Sequence, residues 1–346
     1  MYLQSLAHAL PEHQMTQLEV LEMMRAHPAL DRIQPRGQRL LQKVLSGDSG
    51  IATRHFATSN PVELFDRHPG ELNDYFEKAV TDLASAAVSQ ALEKAGIAAA
   101  DLDALFLCTC TGYLCPGPTS FIAERLGIRE DALLHDVVGL GCGAAIPTLR
   151  TASHFLAANP SAKAAVVAVE ICSAALFLND DPGALISLCL FGDGASASVW
   201  TGSDAPTEWN AHDFRSLHRP EHRESIRFVN SHGFLKNQLA PSVPATAGQA
   251  VFDMLGKNPQ RFLNGSRLVT HNAGRDVLDA INAHLPDADL TPSRSVLKRY
   301  GNMSSPSVMI GLETLLETVP DHVRNIDLAA FGAGFSCHTC ELRRES

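Results

Sequence analysis

Short apolar runs that alternate with amphipathic, helix-spaced runs most restrict how this chain of 346 residues can fold. The run AKAAVVAVEIC (162–172) is rich in Val and Ala, which is typical of a strand covered on both faces. The run DALFLCTCTG (103–112) predicts another buried strand, and TSFIAERLGI predicts a short helix closed by Gly127. This alternation predicts a layered α/β fold with covered sheets.

A polar segment interrupts the alternation at residues 201–226, TGSDAPTEWNAHDFRSLHRPEHRESI. It contains prolines at 206 and 220, and strand-like and helical runs resume after it. We interpret it as a boundary between two halves, or as a surface excursion. The predicted division is an N-terminal half at 1–202 and a C-terminal half at 203–346. Both halves mix helix and buried strand, as in a duplicated core, although the sequence similarity between them is too weak to establish duplication.

Composition excludes several classes of protein. A formal net charge of −10 without a Lys/Arg block makes nucleic acid an unexpected partner. No run approaches the roughly 18 apolar residues of a membrane span. The first residues, MYLQSLAHALPEHQ, lack the basic and apolar regions of a signal peptide. We therefore expect a soluble, cytoplasmic protein with a large core.

The chain has eight cysteines, which we expect to be reduced. Cys337 and Cys340 in CHTC have the spacing of a zinc ligand pair, but no second pair at matching spacing accompanies them. On a strand their thiols would face opposite sides. We therefore expect no metal site.

One cysteine lies between glycines in GLGCGAAIPTLRTA (139–152). A strand-like run precedes it, and a helical pattern follows in which Pro147 is acceptable only in the first turn. Cys142 is thus predicted at a strand-to-helix junction, where free N–H groups and the helix dipole lower a thiol's pKa. We also expect Gly143 to leave room for an oxyanion beside the Cys142 N–H. The alternative is a packed cysteine at a tight elbow.

His271 ends the strand-like run RLVTH, and Asn272 is predicted to cap the helix that follows. That helix would bury Val277, Leu278, Ile281 and Leu285. The alternative role for His271 is that of a hydrogen-bonded structural group.

Asn302 lies in the turn of RYGNMSSPSVMIGLETLLETV. Ser304 or Ser305 is predicted to cap the next helix, which has Pro306 in its first turn. An ordinary turn asparagine is the alternative.

A thiol, an imidazole and an amide brought together would form a thioester site. The thiolate accepts an acyl group, and the imidazole and amide donate hydrogen bonds to a developing enolate oxygen. These groups suit decarboxylative carbon–carbon condensation, although their spacing is equally compatible with a cysteine hydrolase.

Five motifs give the chain a recognisable resemblance: GLGCGAA, LFGDGASA, THNAG, YGNMSS and FGAGF. In their order they resemble chalcone and stilbene synthases, the type III polyketide synthase family of thiolase-fold condensing enzymes. The resemblance runs from about residue 2 to 342, and Met303 in YGNMSS favours this family over ketoacyl carrier-protein synthase III. It implies a duplicated five-layer αβαβα thiolase fold and a homodimer.

The resemblance also implies roles for individual residues. Cys142 matches the acyl-accepting nucleophile, and His271 and Asn302 match the family's catalytic histidine and asparagine. Phe191 matches a gatekeeping phenylalanine. Cavity-shaping positions fall on Cys110, Cys115, Ala175 and Gly233, with Cys115 reaching toward the partner subunit. Gly334 belongs to the glycine loop beside the nucleophile.

The chain departs from the family pattern at two places. Ser242 lies near the second gatekeeping phenylalanine, which would widen the cavity. Arg39 and Lys43 lie near the positions that bind coenzyme A, whereas Asp48 stands where a lysine is common. An acyl carrier protein is therefore an alternative donor.

The predicted function is a type III polyketide synthase-like ketosynthase that loads an acyl thioester on Cys142 and condenses it, in repeated steps, with malonyl-CoA. We expect acyl-CoA and malonyl-CoA as substrates and no other cofactor. The first alternative is a single-condensation ketoacyl synthase or acyltransferase that uses a carrier-protein thioester. The second is a catalytically retired binding subunit, which the presence of all three candidate residues disfavours.

Overall fold

A computed structural model describes residues 1–47, 49–257, 260–263 and 265–345. Its strands are β1 (Tyr2–Ala9), β2 (His13–Thr16), β3 (Thr53–Phe56), β4 (Ala104–Cys108), β5 (Leu133–Val137), β6 (Lys163–Glu170), β7 (Gly194–Thr201), β8 (Trp209–His218), β9 (Ile226–Ser231), β10 (Phe234–Leu239), β11 (Ser266–Thr270), β12 (Asn325–Gly332) and β13 (Ser336–Arg344). Its helices are α1 (Gln17–Ala26), α2 (Pro35–Ser46), α3 (Pro69–Ala95), α4 (Pro118–Leu126), α5 (Ala145–Ala158), α6 (Pro182–Leu190), α7 (Val243–Leu255), α8 (Gln260–Leu263), α9 (Arg275–His284), α10 (Thr291–Tyr300) and α11 (Pro306–Leu316).

Within the described residues, nine strands form one sheet in the order β11-β12-β13-β8-β1-β7-β6-β4-β5. On one side β4 is parallel to β6, and β6, β7 and β1 follow in antiparallel pairs. On the other side β11 is parallel to β12, and β12, β13 and β8 repeat the antiparallel pairs. The repeated pattern shows the duplication that the sequence alone could not establish.

The two strand groups meet where Tyr2 of β1 pairs with Asn210 of β8. All strands of the first group come from residues 1–202, and all strands of the second come from 203–346. Whether these two ranges behave as separate domains stays a prediction.

Helices α5 and α11 lie between the two halves of the sheet and contact strands of both. Helices α3 and α4 cover the outer face of the first half, and α7 packs on the second half with α9 beside it. The layers therefore follow the predicted αβαβα order. The central layer carries a cluster of fully buried side chains that includes Leu149, Leu312 and Leu328.

Several local predictions are confirmed. The Val- and Ala-rich run forms β6, in which every residue after Lys163 is buried. Gly127 ends α4 with φ of +67°, a left-handed conformation that glycine adopts without strain. Pro147 lies in the first turn of α5. Cys337 packs into the cluster under α7 and α9, while Cys340 packs into the central cluster, so the two thiols face opposite sides of β13.

The interpretation of residues 201–226 as a surface excursion is wrong for its central part. Residues 209–218 form β8, which pairs along its length with β13. Trp209 and Ala211 are buried, whereas the polar residues between and after them are partly exposed. A strand with one covered face reads as polar in sequence because only alternate residues enter the core.

Two further observations concern the described residues. None of their helices is long and apolar enough to cross a membrane. They contain no group of three or more His, Cys, Asp or Glu side chains that could hold a metal ion.

Replacement of Leu149 by alanine should test the central layer. Leu149 is fully buried in α5, so Leu149→Ala removes buried methyl groups and leaves a cavity, which costs about 2–5 kcal/mol of unfolding free energy. Denaturant unfolding followed by circular dichroism measures this loss. The control is His154→Ala, an exposed position on the same helix. Equal stability of the two variants would contradict the assignment of α5 to the core.

Candidate active site

Cys142 lies in a short 3-10 turn, Gly141–Gly143, between β5 and α5. The structure thus places it at the predicted strand-to-helix junction, with 7% of its surface exposed. A Cβ at Gly332 would lie 2.9 Å from the Cys142 nitrogen and 2.6 Å from the Gly143 nitrogen. Gly332, the first glycine of FGAGF, is therefore the residue that lets this loop touch the nucleophile turn.

Gly143 lies against the loop of Gly332 and the side chain of His338, and the oxyanion space predicted beside the Cys142 N–H stays a prediction. A Cβ at Gly143 would lie 3.2 Å from the Gly332 nitrogen and 3.2 Å from His338 Cδ2. Gly143 therefore serves the close approach of two backbone segments. Gly334 follows in the same loop with φ of +126°, and its carbonyl accepts a hydrogen bond from His218 at 3.0 Å.

His271 follows β11 directly, and its backbone N–H donates to the Ala329 carbonyl at 2.8 Å. Its ring is 1% exposed and packs edge-on against Phe331. Both ring nitrogens are buried without a hydrogen-bond partner among the described residues. An imidazole held this firmly with both nitrogens unused is positioned for a ligand.

Asn302 lies between α10 and α11 with its amide fixed on both sides. Its Oδ1 accepts from the Ser304 N–H at 2.8 Å, and its Nδ2 donates to the Ala273 carbonyl at 3.0 Å. One Nδ2 proton remains for a ligand. The backbone of Asn302 also forms an isolated parallel β-bridge with Phe191, which holds the YGNMSS and LFGDG segments side by side.

The predicted helix caps are wrong at both junctions. The N-cap of α9 is Gly274, and Asn272 donates instead to the Gly301 carbonyl at 3.2 Å. At α11, Ser305 has the N-cap position but makes no capping hydrogen bond. Its hydroxyl donates to Glu170, and Ser304 has a left-handed φ of +59° that carries its hydroxyl to Cys142. Strain and unused caps of this kind concentrate at functional sites.

Glu170, at the end of β6, is a site residue that the sequence analysis missed. Its carboxylate is fully buried and accepts hydrogen bonds from two segments. The donors are the Thr109 hydroxyl, the Cys110 amide and thiol, the Thr111 amide and hydroxyl, and the hydroxyls of Ser304 and Ser305. An acidic residue inside an apolar strand run was the signal that could have identified it, because buried carboxylates require such partners.

Burial holds the catalytic pair in its neutral form. It raises the pKa of the Cys142 thiol to about 12, against the hydrogen bond that Ser304 donates to the sulphur at 3.1 Å; the Glu170 charge raises this pKa further. Burial also lowers the pKa of His271 to about 3. The predicted lowering of the thiol's pKa is therefore wrong for this structure, since desolvation exceeds the helix-terminus effect.

Cys142, His271 and Asn302 all line one cavity of about 860 Å³, here called the outer cavity. Its volume is in the range of small-molecule sites. The beginning of α9 and residues of α2 and α6 complete its wall, and Lys43 and Arg275 supply positive charge there. The structure thus brings the three predicted catalytic residues to one surface, although they are far apart in sequence.

A second cavity of about 40 Å³, here called the inner chamber, lies against Cys142. Cys142, Phe191 and Ile226 line both cavities. Cys110 and Ala175, two predicted cavity residues, line the inner chamber. Phe191 therefore lies where a gate between the two spaces would lie.

Other predicted residues lie outside the walls of both cavities. Cys115 is exposed, and Gly233 is at the tip of the β9–β10 hairpin with φ of +91°. Arg39 is exposed on α2, one turn before Lys43. Their predicted binding roles stay predictions.

In the segment that contains Ser242, a different residue from the expected one lines a cavity. Ser242 is exposed at the N-cap of α7, and Asn237 of β10 lines the inner chamber. The Asp48 position lies outside the described residues.

Comparison with known proteins assigns the family. The family model described as "FAE1/Type III polyketide synthase-like protein" matches residues 2–222. The chain belongs to the type III polyketide synthase-like family.

Individual relatives of this family match along nearly the whole chain. The 1,3,6,8-tetrahydroxynaphthalene synthase of Streptomyces peucetius is 31% identical, with 97% of this chain and 91% of the relative covered. The enzyme of that name from Streptomyces coelicolor is 28% identical, with 97% and 92% covered. The crystal structure of the 1,3,6,8-tetrahydroxynaphthalene synthase from Streptomyces coelicolor is 25% identical, covers 100% of both chains and has a TM-score of 0.86.

These findings confirm the resemblance, the thiolase fold and the assignment to decarboxylative condensing enzymes of the acyltransferase class. They favour a type III polyketide synthase over the single-condensation alternative.

Two variants should shift the pKa of Cys142 in opposite directions. Ser304→Ala removes a hydrogen bond to the sulphur and should raise this pKa, whereas Glu170→Gln removes a nearby negative charge and should lower it. At pH 8, alkylation of Cys142 by iodoacetamide should then be about tenfold slower in the first variant and faster in the second. Peptide mass spectrometry across pH 6–10 measures both rates.

A Cys115→Ser background removes the exposed thiol from this experiment. Ser46→Ala, at an exposed serine of α2, is the matched control. A shift in the same direction for Ser304→Ala and Glu170→Gln would contradict the electrostatic account.

Proposed function

We propose that the protein is an iterative condensing enzyme in which Cys142 carries the acyl chain and malonyl-CoA supplies two-carbon units. The observation that carries this proposal is the convergence of Cys142, His271 and Asn302 on the outer cavity, with both His271 ring nitrogens unpartnered. Acyl transfer to a thiol needs a nearby proton acceptor, and decarboxylation needs donors for an enolate oxygen.

In the loading step, Cys142 Sγ attacks the thioester carbonyl while its proton moves to the His271 ring. The bond to the coenzyme A sulphur breaks, and the proton then passes to that leaving thiolate. A buried neutral thiol is unreactive alone, so the transfer to His271 has to accompany attack. As the thioester carbonyl is attacked, its oxygen becomes negatively charged and offsets the positive charge that forms on the His271 ring.

In the condensation step, malonyl thioester loses carbon dioxide, and the electron pair of that bond forms an enolate. A neutral imidazole N–H and the free Asn302 Nδ2 proton donate to the enolate oxygen. The enolate carbon attacks the acyl-enzyme carbonyl, and Cys142 leaves as a thiolate, which takes up a proton from solvent and so balances the carboxylate charge lost with carbon dioxide. In this condensation step, a His271 pKa well below neutral fits a ring that donates a hydrogen bond to the enolate and keeps its proton.

We propose coenzyme A thioesters as the substrates, with no further cofactor. The outer cavity has the size for a pantetheine arm, and Lys43 lies at its wall with Arg39 one helical turn away on the same exposed side of α2. Lysine and arginine are suited to the phosphates of coenzyme A. Eight free thiols fit a reducing compartment, and we place the enzyme in the cytoplasm.

We further propose a homodimer in which β5 pairs with β5 of a second copy. This strand is at the sheet edge and its Leu133 and Leu134 are 44% and 38% exposed. Tyr113 and Val138 beside it are 69% and 51% exposed. An open edge strand with exposed leucines is an aggregation hazard, and a symmetric partner removes it.

Product mass from acyl-CoA starters and isotope-labelled malonyl-CoA tests the reaction. We expect products that contain two or more labelled two-carbon units, and none from Cys142→Ala. Asn302→Ala should still load acyl groups, as seen by intact-protein mass, but should decarboxylate malonyl-CoA about 10²–10³-fold more slowly. His154→Ala is the surface control. Turnover by Cys142→Ala at the wild-type rate would overturn the mechanism, and products with a single labelled unit would overturn iteration.

Light scattering after size-exclusion chromatography tests the dimer. Leu134→Lys puts a charge into the apolar edge and should reduce the dimer to monomer, whereas Leu18→Lys, at a 57% exposed leucine of α1, should not. A monomeric wild-type protein, or a dimer unaffected by Leu134→Lys, would contradict the interface.

A further inference from the structure

The inner chamber has walls that are mainly apolar, and Cys142 lies on one of them, so an acyl chain on Cys142 can extend into the chamber. Its apolar lining consists chiefly of Leu176, Phe177, Phe191, Ile226 and Phe228. The volume of about 40 Å³ leaves an acyl chain little freedom to avoid any wall. A polar group on this lining therefore contacts any acyl chain that is bound inside the chamber.

Most polar groups on these walls already have partners. The Thr111 and Ser304 hydroxyls donate to Glu170. The Ser187 hydroxyl donates to the Gly183 carbonyl at 2.7 Å. The Arg227 guanidinium is paired with Glu224 outside the chamber. The three hydroxyls therefore have partners, and the Arg227 side chain, paired through Nη1, is 37% exposed.

Asn237 differs from them. It lies on β10, paired with Phe228 of β9, and is 7% exposed. Its Nδ2 donates to Ser187 Oγ at 2.7 Å, which fixes the orientation of the amide. Its Oδ1 and second Nδ2 proton have no partner among the described residues. A buried amide thus presents a free donor and a free acceptor to the acyl chain.

An unsatisfied buried amide discriminates between chains by their chemistry. A saturated alkyl chain covers it without making a hydrogen bond, which costs the desolvation of both free groups. A ketone oxygen at the same place accepts a hydrogen bond from the free Nδ2 proton, and an enol hydroxyl can also donate to Oδ1. Sites built to hydrogen-bond a substrate group reject analogues that lack this group.

We infer that Asn237 is a specificity residue of the inner chamber, which selects acyl chains that carry a keto oxygen over saturated chains of the same length. This inference rests on the proposed function, because it concerns the chain bound to Cys142. Its substrate class is short β-ketoacyl thioesters, as starters or as intermediates of extension.

The test compares acetoacetyl-CoA with butanoyl-CoA, which have the same chain length and differ at one carbon. The rate at which each acylates Cys142 is measured by intact-protein mass in single-turnover experiments. Intrinsic reactivity differs between the two thioesters, so the readout is the change in their rate ratio between wild type and variant. Asn237→Leu keeps the size of the side chain and removes the amide. We expect it to lower the ratio of acetoacetyl to butanoyl loading about tenfold.

The matched control is Gln238→Leu, because Gln238 is the exposed neighbour on the same strand. This control should leave the ratio unchanged. If Asn237→Leu slows both thioesters by one factor, Asn237 is only a packing residue and the inference fails. An equal drop of the ratio in Gln238→Leu would also overturn it.

The experiment separates this inference from the proposed function. Wild-type protein that loads both thioesters with a ratio insensitive to Asn237→Leu leaves acyl transfer intact and overturns the specificity role alone. Wild-type protein that loads neither thioester, while iodoacetamide still modifies Cys142, overturns the acyl-acceptor function and the inference with it.

Discussion

A single buried carboxylate, Glu170, organises the chemistry of this protein. A charge without water must be surrounded by donors, since desolvating a carboxylate costs several kcal/mol even after the protein relaxes. Glu170 obtains its donors from the segment after β4 and from the start of α11. It thereby joins the first half of the fold to the loop that carries Asn302. The same Ser304 hydroxyl that reaches Glu170 also reaches Cys142, so the carboxylate, the nucleophile and the asparagine loop are fixed by one network.

A second buried charge supports the opposite side of the site. Arg54 is fully buried, and its Nη1 donates to the carbonyls of Leu188 and Phe191 at 2.8 and 2.7 Å. Burial lowers the pKa of Arg54 to about 10, which leaves it charged at neutral pH. The Phe191 backbone forms a β-bridge with Asn302. Arg54 therefore holds in place both Phe191 and the segment that carries the Asn302 amide. Glu170 and Arg54 thus position other residues of the site and have no step of their own in the proposed reaction.

The sequence was sufficient where local chemistry and tertiary structure agree. The Val/Ala run of β6, the glycine end of α4 and the turn at Cys142 each follow from a local rule, and the motif order identified the family. It failed where tertiary partners override the local rule. Ser305 and Asn272 have the composition of helix caps, but Glu170 and the Gly301 carbonyl take their side chains. Strand β8 was hidden because only Trp209 and Ala211 of it enter the central core, while its pairing with β13 is far away in sequence. Conflicts between local preference and the observed contacts are expected at functional sites, and two of these three are at this site.

The neutral state of the Cys142–His271 pair follows from the same burial that makes the site selective. A thiol in water at a helix terminus would ionise more readily, but it would also meet water as a competing nucleophile for each acyl-enzyme. In the buried site, desolvation raises the pKa of Cys142 and lowers that of His271, so charge separation is unfavourable until a thioester carbonyl is present to accept the developing negative charge. Charge then forms only in the transition state of thiol attack, while the His271 ring takes up the thiol proton, and stabilisation confined to the transition state is what accelerates a reaction. The high thiol pKa is therefore compatible with catalysis, because it couples activation of the nucleophile to the arrival of its substrate.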